Sequence, residues 1–281
     1  MRRIPTSLPY RGKFGDVRPP GLAAVPLPPK PMPSRHGLRA LKAWRYVGVY
    51  GPEVMICMAS VRVGPARQAF WAVWDRTEQR LHEQTVTGRG QLWLWAGGAS
   101  LRDGDLQVEL ALDETAGIET ICAAGEAYAW TRKQGGVCAR GTVSIDGRTL
   151  PIDADAVIDD TAAYYPRHTR WWWSAGVGTA QDGRPVAWNL VSGVNDPPAN
   201  SERTVWVDGE PTEAPPCTFA ADLSHVDDLR FHPEAERRAR QNLIVVRSEY
   251  RQPFGTFDGT LPNGIALSHA YGVMEEHDAW W

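Results

Sequence analysis

Two adjacent acid pairs, Asp159-Asp160 and Glu275-Glu276, and two histidines, His168 and His277, stand close to aromatic runs in this chain. A carboxyl buried against indole rings loses hydration, so its pKa rises and it becomes a usable general acid. Aimed at an alkene or epoxide, such an acid starts hydration, isomerisation or cyclisation, and indole faces stabilise the developing cation. Glu276 and Asp160 are the expected acids. His168 lies between Arg167 and Arg170, whose charges disfavour imidazolium, so a neutral ring there would accept or relay a proton. The plainer reading of these groups is solvation, pairing with arginine, or a hydrogen-bonded structural histidine.

The residues that would hold a ligand cluster between Tyr164 and Gly209. That stretch carries five tryptophans, three asparagines and several charges. Asp182-Gly183 between two apolar runs is a strong hairpin signal, and Asp208-Gly209 closes a third run. Strand alternation puts Trp171 and Trp173 on one face and Arg170, Trp172 and Ser174 on the other. Trp188 and Asn189 lie on the next strand, where a buried amide needs a partner from protein, water or ligand. The loop holding Asn195, Glu202 and Arg203 is dense in donors and acceptors that would edge a pocket, with His277 contributing from the closing strand. The alternatives are core packing for the tryptophans and a self-capped turn for the loop.

Other chemistries find little support. No Ser-His-Asp order, phosphate loop, dinucleotide fingerprint or His-x-x-x-His pair is present, so hydrolase triads, nucleotide cofactors and zinc are not expected. Cys57, Cys122, Cys138 and Cys217 lie far apart without metal-ligand spacing and read as reduced, mostly buried residues. A formal net charge of −3 with scattered arginines gives no nucleic-acid signal. No apolar run is long enough for a membrane helix. The first residues lack the apolar core of a signal peptide, so cytoplasmic residence is expected. Oligomeric state stays open.

Positioning these groups falls to strands. From Trp44 onward, runs rich in aromatic and β-branched residues recur at intervals of roughly ten, with Gly-rich turns between, as in a sandwich or barrel. Pro233 to Arg240 is the one helix candidate, too polar to be more than a short surface helix. Residues 1–36 carry Pro19-Pro20, Pro26, Pro28-Pro29, Pro31 and Pro33 and read as an extended arm lying on the body. An internal echo follows. Gly141-Thr142, a strand, Asp146-Gly147, Leu150-Pro151 and Asp159-Asp160 match Gly255-Thr256, a strand, Asp258-Gly259, Leu261-Pro262 and Glu275-Glu276. It predicts two similar β units, 37–160 and 161–281.

The runs Lys42-Ala-Trp-Arg-Tyr46, Phe70-Trp-Ala-Val-Trp-Asp75, Trp171-Trp-Trp-Ser-Ala-Gly176 and Trp188-Asn-Leu-Val-Ser-Gly193 carry a resemblance. So do Asn195-Asp-Pro-Pro198 with Glu202, and Gly255 to Pro262 with Gly272-Val-Met-Glu-Glu-His277. Together they resemble a bacterial family known only as a domain of unknown function, over nearly the whole chain. More distantly, the two-unit plan is similar to calycin-like double-barrel proteins, the group of carotenoid hydratases, tocopherol cyclases and some Diels–Alder cyclases. That resemblance implies two calycin-like antiparallel β units, a barrel cavity for a hydrophobic small molecule, and an acidic group that protonates or orients it. Fold does not fix function. A non-catalytic carrier or sensor of such a molecule, and a structural module with no pocket, remain alternatives.

Overall fold

The computed structural model describes residues 7–88, 90–243 and 246–281. The larger sheet is antiparallel throughout. It runs from Arg80–Thr87 through Ala66–Asp75, Val54–Val63 and Lys42–Tyr50 to Arg148–Ala163 and Ala127–Ile145. It then continues through Leu106–Leu112 and Gly98–Asp103 to Leu92–Trp95. Ile118–Ala124 and Tyr10–Lys13 branch from the Ala127–Ile145 strand. The second sheet is also antiparallel. Its order is Glu210–Glu213, Thr204–Val207, Pro185–Ser192, His168–Ala180, Leu267–Trp280, Val246–Gly259, Leu229–Leu243 and His225–Val226. The chain changes sheets after Ala163, within residues 164–167. Among the described residues the one helical turn is Pro20–Leu22, so the fold is all-β.

Each sheet curls around apolar side chains of its own. Ile56, Trp71, Val108 and Val143 belong to the core of the larger sheet. Trp188, Leu190, Phe231, Phe257 and Met274 belong to the core of the second. The outer faces then meet in a third layer that includes Tyr46, Tyr50, Met55, Trp171, Trp173, Phe254 and Val273. Two β units with a seam between them follow from this layering. The proline-rich arm packs Leu22, Leu27 and Met32 against Tyr128, Trp130 and Tyr164. All four cysteines are free.

The stretch from Pro233 to Arg240 is not a helix. It lies within the Leu229–Leu243 strand, which passes a register shift between Pro233 and Ala235. Arg238 and Arg240 are exposed, Arg237 is buried, and Ala239 is half-buried. That is the period of two of a strand. Helix-favouring Glu, Arg and Ala were overruled by pairing with Val246–Gly259.

The order of contacts across the seam decides where a site can form. Arg80–Thr87 faces Leu229–Leu243, Lys42–Tyr50 faces His168–Ala180 and Leu267–Trp280, and Ala127–Ile145 faces Pro185–Ser192 and Thr204–Val207. Moving across the strands is therefore moving along the seam.

Candidate active site in the seam

The seam holds a cavity of about 140 Å³, room for on the order of ten water molecules or a ligand of that size. Both sheets line it, and equivalent strands supply equivalent groups. In the larger sheet Trp44 pairs across from Thr161, and Tyr46 from Asp159. In the second, Trp171 pairs across from His277, and Trp173 from Glu275. Trp44 Nε1 donates to Asp159 Oδ2 at 3.0 Å, and Trp171 Nε1 donates to Glu275 Oε1 at 2.9 Å. The two indoles stack nearly parallel, 6° between planes, with centroids 6.1 Å apart. Each half thus presents an indole hydrogen-bonded to a carboxylate.

The two carboxylates differ in their surroundings. Glu275 Oε2 accepts from Tyr250 Oη at 2.9 Å and from Gln252 Nε2 at 3.0 Å. Burial pushes its pKa up to about 7, against the pull of the Tyr250 and Trp171 hydrogen bonds. Glu275 therefore keeps its proton to a higher pH than an exposed carboxyl does. His277 is half-buried beside it, its ring 4.3 Å from Trp171 and 5.2 Å from Tyr250, with Nε2 2.7 Å from Ser248 Oγ. Burial, with Arg237 nearby, lowers its pKa to about 3, so the imidazole is neutral.

Asp159 sits instead in a charged cluster. Lys133 Nζ approaches Asp159 Oδ1 to 2.6 Å and Glu202 Oε1 to 3.3 Å. Thr161 Oγ1 adds a hydrogen bond of 2.9 Å to Asp159. Burial pulls the ammonium down, but Asp159 and Glu202 together hold it above the ordinary lysine range. Burial raises the Glu202 carboxyl, with Lys133 opposing. Asn195 Nδ2 donates to Glu202 Oε2 at 3.0 Å and to Tyr165 Oη at 2.6 Å. Among the described residues Asn195 Oδ1 and Trp281 Nε1 are buried without a hydrogen-bond partner; both residues line the cavity. Among the described residues no group of three or more His, Cys, Asp or Glu side chains is arranged to hold a metal.

Of the residues expected from sequence, Trp171, Trp173, Asn195, Glu202 and His277 meet in this cavity. Glu276, Asp160 and His168 do not. Glu276 accepts from Arg170 Nη2 at 2.5 Å on the face turned away from the seam, and Asp160 is bridged by Arg45 at 2.9 Å and Arg132 at 2.7 Å. The reason is parity: neighbours in a strand point to opposite faces, so Glu275 and Asp159 enter the seam. His168 is exposed, stacked on Trp280 at 4.2 Å and 3.0 Å from Asp278 Oδ1. It lines a second cleft, of about 450 Å³, with Arg170, Pro166 and Gly193. Trp188 points into the second sheet's own core and donates to Ser174 Oγ at 3.0 Å. Asn189 accepts from Trp173 Nε1 at 2.8 Å and donates to the Glu202 carbonyl at 3.0 Å, so its amide is satisfied by protein and orients Trp173. Arg203 is buried and donates to the carbonyls of Pro197 and Ala214, fixing its own loop. The cavity lies between the units, not inside a barrel as the resemblance implied.

The sequence pointed to both acid pairs but put forward Glu276 and Asp160 rather than Glu275 and Asp159, and it did not single out Lys133, Tyr250 or Arg237. A signal existed for the first. His277 and Trp171 were both expected at the ligand, and a strand that turns His277 inward turns Glu275 inward and Glu276 out.

With the geometry established, the relatives can be placed. Kievitone hydratase from Nectria haematococca superposes over 84% of this chain and 88% of its own, with 11% identity and a TM-score of 0.50. A Nitrosomonas europaea protein provisionally named AttH aligns over 89% of this chain and 97% of its own, at 13% identity and a TM-score of 0.48. CghA, solved with Sch210972, covers 86% of this chain and 88% of its own, at 10% identity and a TM-score of 0.40. At these identities the likeness concerns the fold alone, an all-β plan shared with the hydratase. No curated protein matches the sequence. A family model described as a domain of unknown function, DUF2804, matches residues 88–281, which take in the whole second sheet and the acid-bearing strands of both halves; the chain belongs to that family.

Proposed function

We propose that the seam cavity binds an apolar small molecule and that Glu275 protonates it, beginning a hydration, isomerisation or cyclisation. The observation that carries this reading is a buried carboxyl, its pKa raised to about 7 by burial, facing a cavity walled by Trp44, Trp171, Trp173 and Tyr46. In the step considered, the Glu275 proton passes to one carbon of an alkene and the π pair forms the new C–H bond. The other carbon becomes cationic against the indole faces. Trp171, Tyr250 and Gln252 already donate to the carboxylate that remains, so its charge is met without rearrangement. Water addition, loss of a neighbouring proton, or attack by a second alkene then completes the three outcomes. Neutral His277 is placed to accept the proton released. Among the described residues buried Gln252 Oε1 has no partner; with the amide turned over it would accept from the protonated acid, so one side chain serves both charge states.

The test pairs two neighbouring acids. Isoprenoid alcohols such as geraniol and farnesol are incubated with the protein in heavy water, and deuterium on carbon is read by mass spectrometry. Glu275→Gln is expected to lower incorporation by roughly 10²- to 10⁴-fold, with probe binding, followed by tryptophan quenching, within a few-fold of wild type. Glu276→Gln is expected to change neither. Equal incorporation in Glu275→Gln and wild type would remove Glu275 as the acid. Tight binding with no incorporation in the wild type would leave a carrier.

A further inference from the structure

The cavity has a cation at each end, and the two are balanced very differently. At the Ala127–Ile145 end, Lys133 is matched by two carboxylates within 3.3 Å. At the Arg80–Thr87 end stands Arg237, 2% exposed, with no carboxylate among the described residues at hydrogen-bond distance. The nearest, Glu83, lies 3.8 Å from Nε on a side chain 37% exposed. The guanidinium is covered by Phe70 at 4.2 Å and Tyr250 at 4.9 Å, and one Nη donates to Thr85 Oγ1 at 2.6 Å. Its buried Nε–H has no hydrogen-bond partner among the described residues. Taking a guanidinium out of water without pairing its donors is costly, and its planar fork fits a carboxylate two N–H groups at a time.

We propose that the molecule held in the seam is an apolar body bearing a carboxylate, and that Arg237 receives that carboxylate. This inference rests on the seam cavity being a ligand site and adds the ligand's charge. The distance along the seam then sets orientation. The anion sits on the Leu229–Leu243 strand, the apolar body crosses Phe70 and Tyr250, and the reacting carbons lie over Glu275 and the tryptophans.

A consequence for the acid follows. The charged and titratable groups around Arg237 are Glu83 from the larger sheet and Tyr250, Glu275 and His277 from the second, with the thiol of Cys57 beneath. The positive charge of Arg237 is among the influences that favour ionised Glu275. A carboxylate seated on the guanidinium cancels that field, so Glu275 holds its proton more firmly once substrate is bound. The substrate readies its own acid.

Decanoate and decanol, matched in chain and differing in charge, test the proposal by titration calorimetry at pH 7. Wild type is expected to bind decanoate roughly ten- to a hundred-fold more tightly than decanol, the worth of a charged hydrogen-bonded pair. Arg237→Gln is expected to lose that preference while decanol affinity stays within a few-fold. Glu83→Gln, which removes the competing carboxylate and leaves the tie to Thr85, is expected to strengthen decanoate alone. Should Arg237→Gln not fold, Arg237→Lys is expected to retain a reduced preference, and Glu83→Gln decides. Equal affinities in wild type, a preference surviving Arg237→Gln, or no effect of Glu83→Gln on decanoate would overturn the anion site while leaving the seam as a ligand site. Failure of both probes to bind would remove the ligand site and the inference with it.

Discussion

Replacing Lys133 by methionine is expected to cost the fold about 3–5 kcal/mol at neutral pH, the loss found when one partner of a buried ion pair is removed. Lys133 is 2% exposed and lies between Asp159 and Glu202. Its removal leaves two carboxylates facing one another in the seam, with Trp44, Thr161 and Asn195 as their remaining donors. Urea denaturation followed by tryptophan fluorescence measures the change. Two further results separate repulsion from lost packing. The deficit should shrink as acid protonates the carboxylates, and Asp159→Asn with Glu202→Gln in the same chain should recover most of it. A loss under about 1 kcal/mol would mean that the cluster is well hydrated.

The second large effect is a cancellation. Glu275 has its pKa raised from 4.5 to about 7. Between those values the native chain keeps a proton that the unfolded chain releases, so this group's contribution is full below 4.5 and is lost as pH rises through 7. The amount is about 3 kcal/mol. His277 has the opposite sign. Its pKa falls from 6.5 to about 3, so the unfolded chain is the one holding the proton in that window. Its contribution is present above 6.5 and is lost as pH falls through 3, about 5 kcal/mol in all. From pH 4.5 to 6.5 the two slopes oppose one another. Substituting Gln at position 277 is expected to unmask the fall in stability toward pH 7, and substituting Gln at position 275 to unmask the rise from pH 3. Denaturant midpoints taken at each pH check both. A difference curve between wild type and His277→Gln that stays flat from pH 3 to 6.5 would show a charged native imidazole.

Much of the architecture was legible because turn chemistry and strand composition are local. Asp146-Gly147 and Asp208-Gly209 have positive φ at both residues, as two-residue hairpins demand. The misread stretch around Glu234 to Arg240 is instructive for the same reason. Its residues favour a helix, and the strand state comes from a partner that lies next to it only in the fold. The residues of the candidate site were legible in their parts and not in their parity. Both acid pairs drew notice, yet which member faces inward depends on which face of the strand meets the other sheet. Lys133, within Arg-Lys-Gln-Gly, looks like surface; only Glu202, 69 positions away, makes it a buried bridge. Trp188 and Trp171 are alike as residues, and the curl of the sheet sends one to a core and the other to the cavity.

A ligand bound in the seam, as proposed, would tie the fate of the chain to its supply. A molecule lodged there touches both sheets at once and is lost when they part, so it acts as mortar. At a hundred times its dissociation constant it would add about 2.7 kcal/mol to folding. Protein made where the molecule is scarce would open more often and meet proteases sooner, so the level of the protein in the cell would follow the supply of what it binds.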